Sequence, residues 1–500
     1  MKEQYKPTDC NVLLVQPRSA VHMDLNVIPF GLMSIASSLR NAGYRPMVVN
    51  LNLEPIQILK NYLSNPDLLY IGFSVFTGPM IKDVLELSRK IRQVSPRVSL
   101  VWGGPHPTIM PELTAAHSLV DVVCRGEGEQ SAVALAKAYS EHTDLKGIPG
   151  ITFKRDGEII STEKSVQDDR GGATFAMDLG SIDLKPYIFR NRGKKCAVFI
   201  SSRGCPFRCS FCWNVSFLNR KYRGWKVETV QQELQPLLSG GVEKILLLDS
   251  FVGPISRVRA LGQFFQNQGI EWAIEDGCRV DLHGNEEFFQ TVVGTGCTHI
   301  TFGAESGSQR ILDMMQKDIT VEDILRSATA RKSFPLGARY QWMVGVPGET
   351  ESDVMLTVKL IDQICRINPL SGHSMDVYAP YPGNPMYNMT CEAGWHPPKD
   401  LQAWGQFRWE GEYPHHQGRT WFYKSVFYSN FFYRYKTLAK YSAYTSKAQR
   451  LFRLIRVLLH PFAAFRWTTR TFRFPLEYRL AEKMRVYFEL ISAWIRRKEN

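Results

Sequence analysis

Apolar positions in the first 140 residues follow two alternating periods. Short β-branched runs at 11–15, 47–50, 68–74, 98–103 and 120–124 read as strands, while segments between them, such as 30–41 and 80–94, repeat apolar residues three and four apart, as helices do. This alternation predicts an α/β architecture with a five-stranded, parallel, doubly wound sheet, whose ligand lies outside the carboxyl ends of the strands. Residues 150–160 form a hairpin pattern turning at Asp156-Gly157, read as part of a linker. Strand and helix periods resume from Ala197 to about Pro385 and suit an incomplete (β/α)6 barrel, with its chemistry at the strands' carboxyl ends. The expected divisions are 1–145, a linker at 146–195, a barrel at 196–390 and a mostly helical region at 391–500.

Composition adds two constraints. An apolar fraction of 44% with 12% aromatics suffices for packed cores, and no stretch approaches the roughly 18 uncharged apolar residues that cross a bilayer. The N-terminal residues lack an apolar leader, so a cytoplasmic protein is expected. The net charge of +13 is local: residues 401–500 hold 19 Lys and Arg against 6 Asp and Glu, and the rest of the chain is balanced. A neutral body offers no continuous basic groove, which argues against nucleic acid.

The ten cysteines form no disulfide framework, but three of them stand together in Ser201-Ser-Arg-Gly-Cys-Pro-Phe-Arg-Cys-Ser-Phe-Cys-Trp213. Structural zinc prefers four protein ligands, and electron-transfer clusters take four cysteines. A C-x3-C-x2-C loop therefore suggests a 4Fe-4S cluster with one iron open to another ligand. The alternative is a trio of buried or disulfide-bonded thiols.

With Phe211 before the last cysteine, this loop resembles the signature of the radical S-adenosylmethionine superfamily. The resemblance implies that Cys205, Cys209 and Cys212 hold the cluster, that the open iron chelates S-adenosylmethionine, and that one electron releases a 5'-deoxyadenosyl radical. Three further segments resemble that family's cosubstrate contacts. Asp249, at the end of the predicted strand 244–249, matches the segment near the methionyl amine. Glu305, in Ile300-Thr-Phe-Gly-Ala-Glu, matches a carboxylate directed at the ribose hydroxyls. In Trp342-Met-Val-Gly-Val-Pro-Gly-Glu349, Val344 and Val346 match the adenine-contacting strand and turn, and strand alternation points them the same way. Arg279 is a candidate partner for the cosubstrate carboxylate, or an ordinary ion pair.

Three loops after predicted strands, Gly72-Phe-Ser-Val-Phe-Thr77, Trp102-Gly-Gly-Pro-His-Pro-Thr108 and Cys124-Arg-Gly-Glu-Gly-Glu-Gln130, together resemble the Rossmann-like cobalamin-binding domain that many of these enzymes carry. Ser74, Thr77, Gly103, Gly104, Gly126, Glu127 and Gly128 are its expected contacts; a degenerate Rossmann domain for another ligand is the alternative. His22 lacks the flanking Asp and Gly of a cobalt-ligating motif and reads as a loop residue, so the expected cobalamin has no histidine on cobalt. His106 stays open as a ligand candidate.

The whole resemblance covers about residues 10–390 and implies cobalamin-dependent methylation of an unactivated carbon. Radical oxidative cyclisation and a non-catalytic corrinoid or iron–sulfur sensor are the other readings. A reductase, flavodoxin or ferredoxin would supply the electron. Between Glu412 and Glu477 the chain has no acidic residue, and residues 401–500 hold 25 of its 59 aromatics. Rings beside Arg and Lys at helical spacing suit contact with an anionic membrane surface, and equally a helical cap on the barrel. Such a tail favours a hydrophobic small-molecule substrate: a lipid, tetrapyrrole or natural product.

Overall fold

The computed structural model describes residues 9–18, 27–165, 176–218, 220–408, 411–439 and 447–472. His22 lies outside them. The first sheet is built from β1 (Val12–Gln16), β2 (Pro46–Asn50), β3 (Tyr70–Ser74), β4 (Ser99–Gly103), β5 (Val122–Cys124), β6 (Ile151–Arg155) and β7 (Glu158–Ser161), in the order 2-1-3-4-5-6-7. The first five pair in parallel, as the alternation predicts. The hairpin read as a linker is instead the sheet's antiparallel edge, pairing with β5 through Cys124 and Ile151. It is recruited because Ile151 and Phe153 are apolar on one face and complete the core beside Leu135 and Ala136.

Both faces of the parallel strands β1 to β5 are covered, so these strands are largely apolar. Val12 and Leu14 pack under the helix Phe30–Asn41, whereas Leu13 and Val15 meet the helix Pro79–Val94 on the opposite side. Leu401, Trp404 and Phe407, from beyond the barrel, return to cover that second face.

The second sheet starts with β8 (Phe189–Asn191) and β9 (Lys194–Phe199), the former antiparallel to the latter. After β9, a two-residue ladder of β10 (Ser202–Arg203) with β11 (Arg223–Gly224) closes the base of the cysteine loop. Then follow β12 (Lys244–Leu248), β13 (Glu271–Cys278), β14 (Cys297–Glu305), β15 (Gly337–Val344) and β16 (Ser371–Val377). The order 16-15-14-13-12-9-8 gives six parallel strands in a curled, open half-barrel.

Beyond the barrel, the helix Thr420–Ala439 packs against the edge strand β16, placing Phe422, Tyr423 and Val426 in the barrel core. The helix Lys447–Thr469 packs on Thr420–Ala439, and Trp467 Nε1 donates to Asp362 at 2.8 Å. Of the two readings of the tail, the cap describes these residues. It protects an edge strand that would otherwise present unpaired backbone groups.

Candidate active site

The cysteine loop owes its shape to Gly204, whose φ of +78° is unfavourable for other residues and whose Cβ would collide with the Lys221 carbonyl. The loop is also tied to the barrel. Ser210 donates from its N–H to Met315 O at 2.8 Å and from its hydroxyl to Met314 O at 3.0 Å, and its own carbonyl accepts from Met386 N–H at 3.1 Å. Cys209 is buried, Cys205 and Cys212 are partly exposed, and all three are free thiols. They are near enough to one another to interact electrostatically. Burial, followed by the proximity of Cys209 and Cys205, pushes the Cys212 thiol up to about 12. Among the described residues no group of three or more His, Cys, Asp or Glu is placed to hold a metal ion. A preformed mononuclear site is thus absent there, while three free thiols spaced C-x3-C-x2-C on one buttressed turn fit a larger cluster ligated at separate corners.

The other sequence-derived cosubstrate residues fare differently. Glu305 ends β14 with φ +63°, a strained conformation of the kind that marks functional positions, and accepts from Lys317 Nζ at 2.7 Å. Lys317 lies 5.8 Å from the centroid of Phe211. Burial alone would depress this lysine, but Glu305 outweighs it and leaves the pKa raised. Glu305, Lys317 and Phe211 therefore form one charged and aromatic wall beside the cysteines.

Asp249, by contrast, is buried and braces the backbone. It accepts from Ser201 N–H at 2.6 Å, Ser201 Oγ at 2.5 Å and Ser202 N–H at 3.0 Å, so its carboxylate is spent within the fold. Leu248, the preceding residue, is the one that faces open space. Arg279 pairs with Asp281 through two bonds of 3.0 and 3.2 Å, donates to the Lys317 carbonyl, and stacks 3.7 Å from the centroid of Phe207. It is the ion pair and a clamp on the cysteine loop. Val344 and Val346 do not share a face. β15 ends at Val344, and Gly345, at φ +79°, breaks the alternation. Val344 joins the outer core under the helices, and Val346 joins Ile311, Met315, Tyr378 and Met386, against which Phe211 packs. Only Val346 remains beside the cysteine loop.

Strand alternation locates lumen residues that motif reasoning missed. On β15, Ala338, Tyr340, Trp342 and Val344 are buried in the outer core, so Arg339, Gln341 and Met343 face the hollow of the barrel. Asp276 and Asp376 have accessible carboxyl groups although protein surrounds them, as befits a lumen; burial first, and Glu305 in addition, raise both pKa values. The signal was present as isolated polar residues within otherwise apolar strands.

Between the two sheets lies a cavity of about 1370 Å³. All seven residues expected from the strand-end loops line it: Ser74, Thr77, Gly103, Gly104, Gly126, Glu127 and Gly128. Gly104, at φ +93°, lies so near Val75 that a Cβ would fall 2.8 Å from its nitrogen. Ile200, Trp213, Phe217, Leu218 and Leu248 close the opposite wall, so residues flanking the cysteine loop face the glycine loops directly. Trp213 adjoins Cys212, and its accessibility could have flagged it.

Two expectations change here. His106 is buried behind the wall: its Nδ1 lies 3.0 Å from Thr77 Oγ1, its ring packs on Trp404, and burial lowers it to about 4, which leaves it neutral. It orients Thr77 and does not reach the cavity. No histidine is among the described residues that line it. Glu127 does line it, but both carboxylate oxygens are engaged, accepting from Arg223 at 2.6 and 2.7 Å and from Arg203 at 3.2 Å. Arg203 also donates to Glu129 at 2.6 Å, and Glu129 accepts from Ser34. This buried network ties the third glycine loop to the β10–β11 ladder at the base of the cysteine loop.

Two family descriptions match the chain in this same order: a B12 binding domain over residues 20–136 and the Radical SAM superfamily over residues 199–361. The chain belongs to the cobalamin-binding radical S-adenosylmethionine enzymes. The cofactors of this cobalamin-dependent radical S-adenosylmethionine enzyme are a 4Fe-4S cluster, S-adenosylmethionine and cobalamin. An uncharacterized methyltransferase of Pyrococcus horikoshii is 29% identical over 370 residues, 72% of this chain and 77% of its own. The anaerobic magnesium-protoporphyrin IX monomethyl ester cyclase of Rubrivivax gelatinosus is 26% identical over 350 residues; the match covers 66% of this chain but only 61% of the cyclase. The solved structure of the cobalamin-dependent radical enzyme OxsB, with aqua-cobalamin and S-adenosylmethionine bound, shares the fold at a TM-score of 0.68 and 16% identity, over 92% of this chain and 72% of OxsB. The three free thiols of the cysteine loop fit the cluster, and the glycine-lined cavity fits cobalamin.

Glu349, in the turn after β15, carries a titration of its own. It is buried, accepts from Gly345 N–H at 2.5 Å, and burial raises its pKa to about 8 from 4.5. Between those values the native state binds more protons than the unfolded chain, so stability falls as pH rises, by at most about 1.4 kcal/mol per pH unit. Glu349→Gln, which stays neutral, is expected to match the wild-type Tm near pH 5 and exceed it near pH 8, measured as thermal unfolding across that range.

Proposed function

We propose that this enzyme methylates an unactivated carbon of a hydrophobic small molecule. The observation that carries the reading is the cavity: its glycine loops and the cysteine-loop flank face each other across a mainly apolar space. The bound cofactors would supply a carbon-centred oxidant from S-adenosylmethionine and a transferable methyl group on cobalamin. The chain's own residues then have defined tasks. Cys205, Cys209 and Cys212 hold the cluster. Gly103, Gly104, Gly126 and Gly128 let the backbone approach the corrin, and Ser74 and Thr77 offer hydroxyls to its edge, Thr77 steadied by His106. Glu305 and Lys317 offer a charged pair to the cosubstrate, and Val346 an apolar contact beside it. Trp213, Phe217 and Leu248 exclude water between the two cofactor sites, where a radical would otherwise be quenched.

The substrate class, a lipid, tetrapyrrole or natural product, follows from the apolar lining and the aromatic tail. The electron would come from a reductase, flavodoxin or ferredoxin, in a reducing cytoplasm. Oxidative cyclisation without methyl transfer is the second reading, favoured by the similarity to the cyclase. No observation favours the sensor.

Anaerobic reconstitution with iron, sulfide and hydroxocobalamin, followed by a reduced assay, separates these readings. The methylase yields 5'-deoxyadenosine together with cobalamin-dependent S-adenosylhomocysteine. Deoxyadenosine alone favours cyclisation, and neither product from loaded protein counts against catalysis.

A further inference from the structure

The helix Lys447–Thr469 is apolar on two opposite faces. Its inner face, Leu459, Ala463 and Trp467, is buried against Thr420–Ala439 and the barrel core. On the outer face Val457, Leu458, Phe462 and Phe465 are 66%, 70%, 55% and 64% exposed. At about 3.6 residues per turn these four fall within an arc of roughly 140°, directed away from the buried stripe. A helix apolar on both sides is expected only where both sides are covered. The inner face has its partner within the fold; among the described residues the outer face has none.

Charge identifies the occupant. The first ten residues of this helix include Lys447, Arg450, Arg453 and Arg456, and no acidic residue occurs between Glu412 and Glu477. A protein partner matched to such a stripe would need an acidic apolar groove of its own, whereas an anionic bilayer supplies apolar depth and negative headgroups at once. No described helix is long and apolar enough to cross a membrane, so contact is in the plane of the surface. We propose that Val457, Leu458, Phe462 and Phe465 insert into the interfacial layer of an anionic membrane, with the helix lying flat in its plane. The inference stands whether the enzyme methylates or cyclises.

The test is co-sedimentation of the full chain with phosphatidylcholine vesicles, with and without phosphatidylglycerol. The wild type is expected to bind the anionic vesicles at least about tenfold more tightly than the neutral ones, and less so as salt is raised. The triple variant Leu458→Gln, Phe462→Gln, Phe465→Gln is expected to lose about tenfold at unchanged Tm. Should that variant melt lower, Phe462→Gln alone is expected to weaken binding about threefold with its Tm preserved. Protein that stays in the supernatant, binds neutral vesicles equally, or binds undiminished in the variants overturns the proposal. So does a wild-type dimer that the triple variant disperses while vesicle binding is absent.

Discussion

Glu127→Ala is expected to lower the unfolding free energy by about 3 to 5 kcal/mol, the usual cost of removing one partner from a buried ion pair. Arg223 and Arg203 have side chains only 6% and 11% exposed, and in the variant both stay buried while their bonds to Glu127 vanish. Glu129 still holds Arg203, so Arg223, with two bonds lost, carries most of the cost. Chemical denaturation of the apoprotein measures the change. A double-mutant cycle of Glu127→Ala with Arg223→Ala should return a large coupling, because two short bonds join these side chains directly. Cobalamin affinity is expected to fall in parallel, since the same carboxylate anchors the Gly126–Gly128 loop in the cavity wall. Glu127→Gln, which keeps the shape and loses the charge, should lie between.

This clasp also shows which part of the molecule was legible in the sequence. The strand–helix alternation of the first sheet, the half-barrel and the loops that line the cavity are encoded locally, by apolar periods of two or about three and a half and by glycines at strand ends. Those signals survive in one dimension. What failed were statements about direction. Asp249 follows one barrel strand and Glu305 ends another, yet Ser201 and Ser202 draw the first carboxylate into the backbone, whereas the second turns, at φ +63°, toward Lys317 beside the cysteine loop. Arg279 found Asp281 two residues away, and Phe207 above it, before any cosubstrate could compete. Val344 and Val346 were separated by one glycine that ends the strand between them. The hairpin 150–160 was misplaced for a related reason: its turn is local, but its pairing with β5 depends on apolar residues presented by helices elsewhere. The tail is a case where composition admitted two answers: one face of its last described helix packs on the fold, and the other leaves four apolar side chains exposed.

The largest functional effect is expected from a single thiol. Cys209→Ala should reduce cluster content and S-adenosylmethionine cleavage to background, as completely as replacing Cys205, Cys209 and Cys212 together. Groups that act as a unit are not additive: once one corner is lost, the others have nothing left to contribute. Cys209 is the most informative of the three because it is buried at the centre of the loop, with its carbonyl accepting from Cys212 N–H at 3.1 Å, so no outside ligand can easily replace it. The fold should survive. Arg279 over Phe207, Asp318 bonded to Arg208 at 3.0 and 3.1 Å, and the Ser210 bonds to Met314 and Met315 hold the loop without the thiol. The discriminating measurements are iron content and visible absorption after anaerobic reconstitution, read beside cobalamin binding. Iron should disappear while cobalamin, held by the other domain, stays bound. A variant that keeps both its iron and its 5'-deoxyadenosine formation would mean that the cluster is ligated elsewhere.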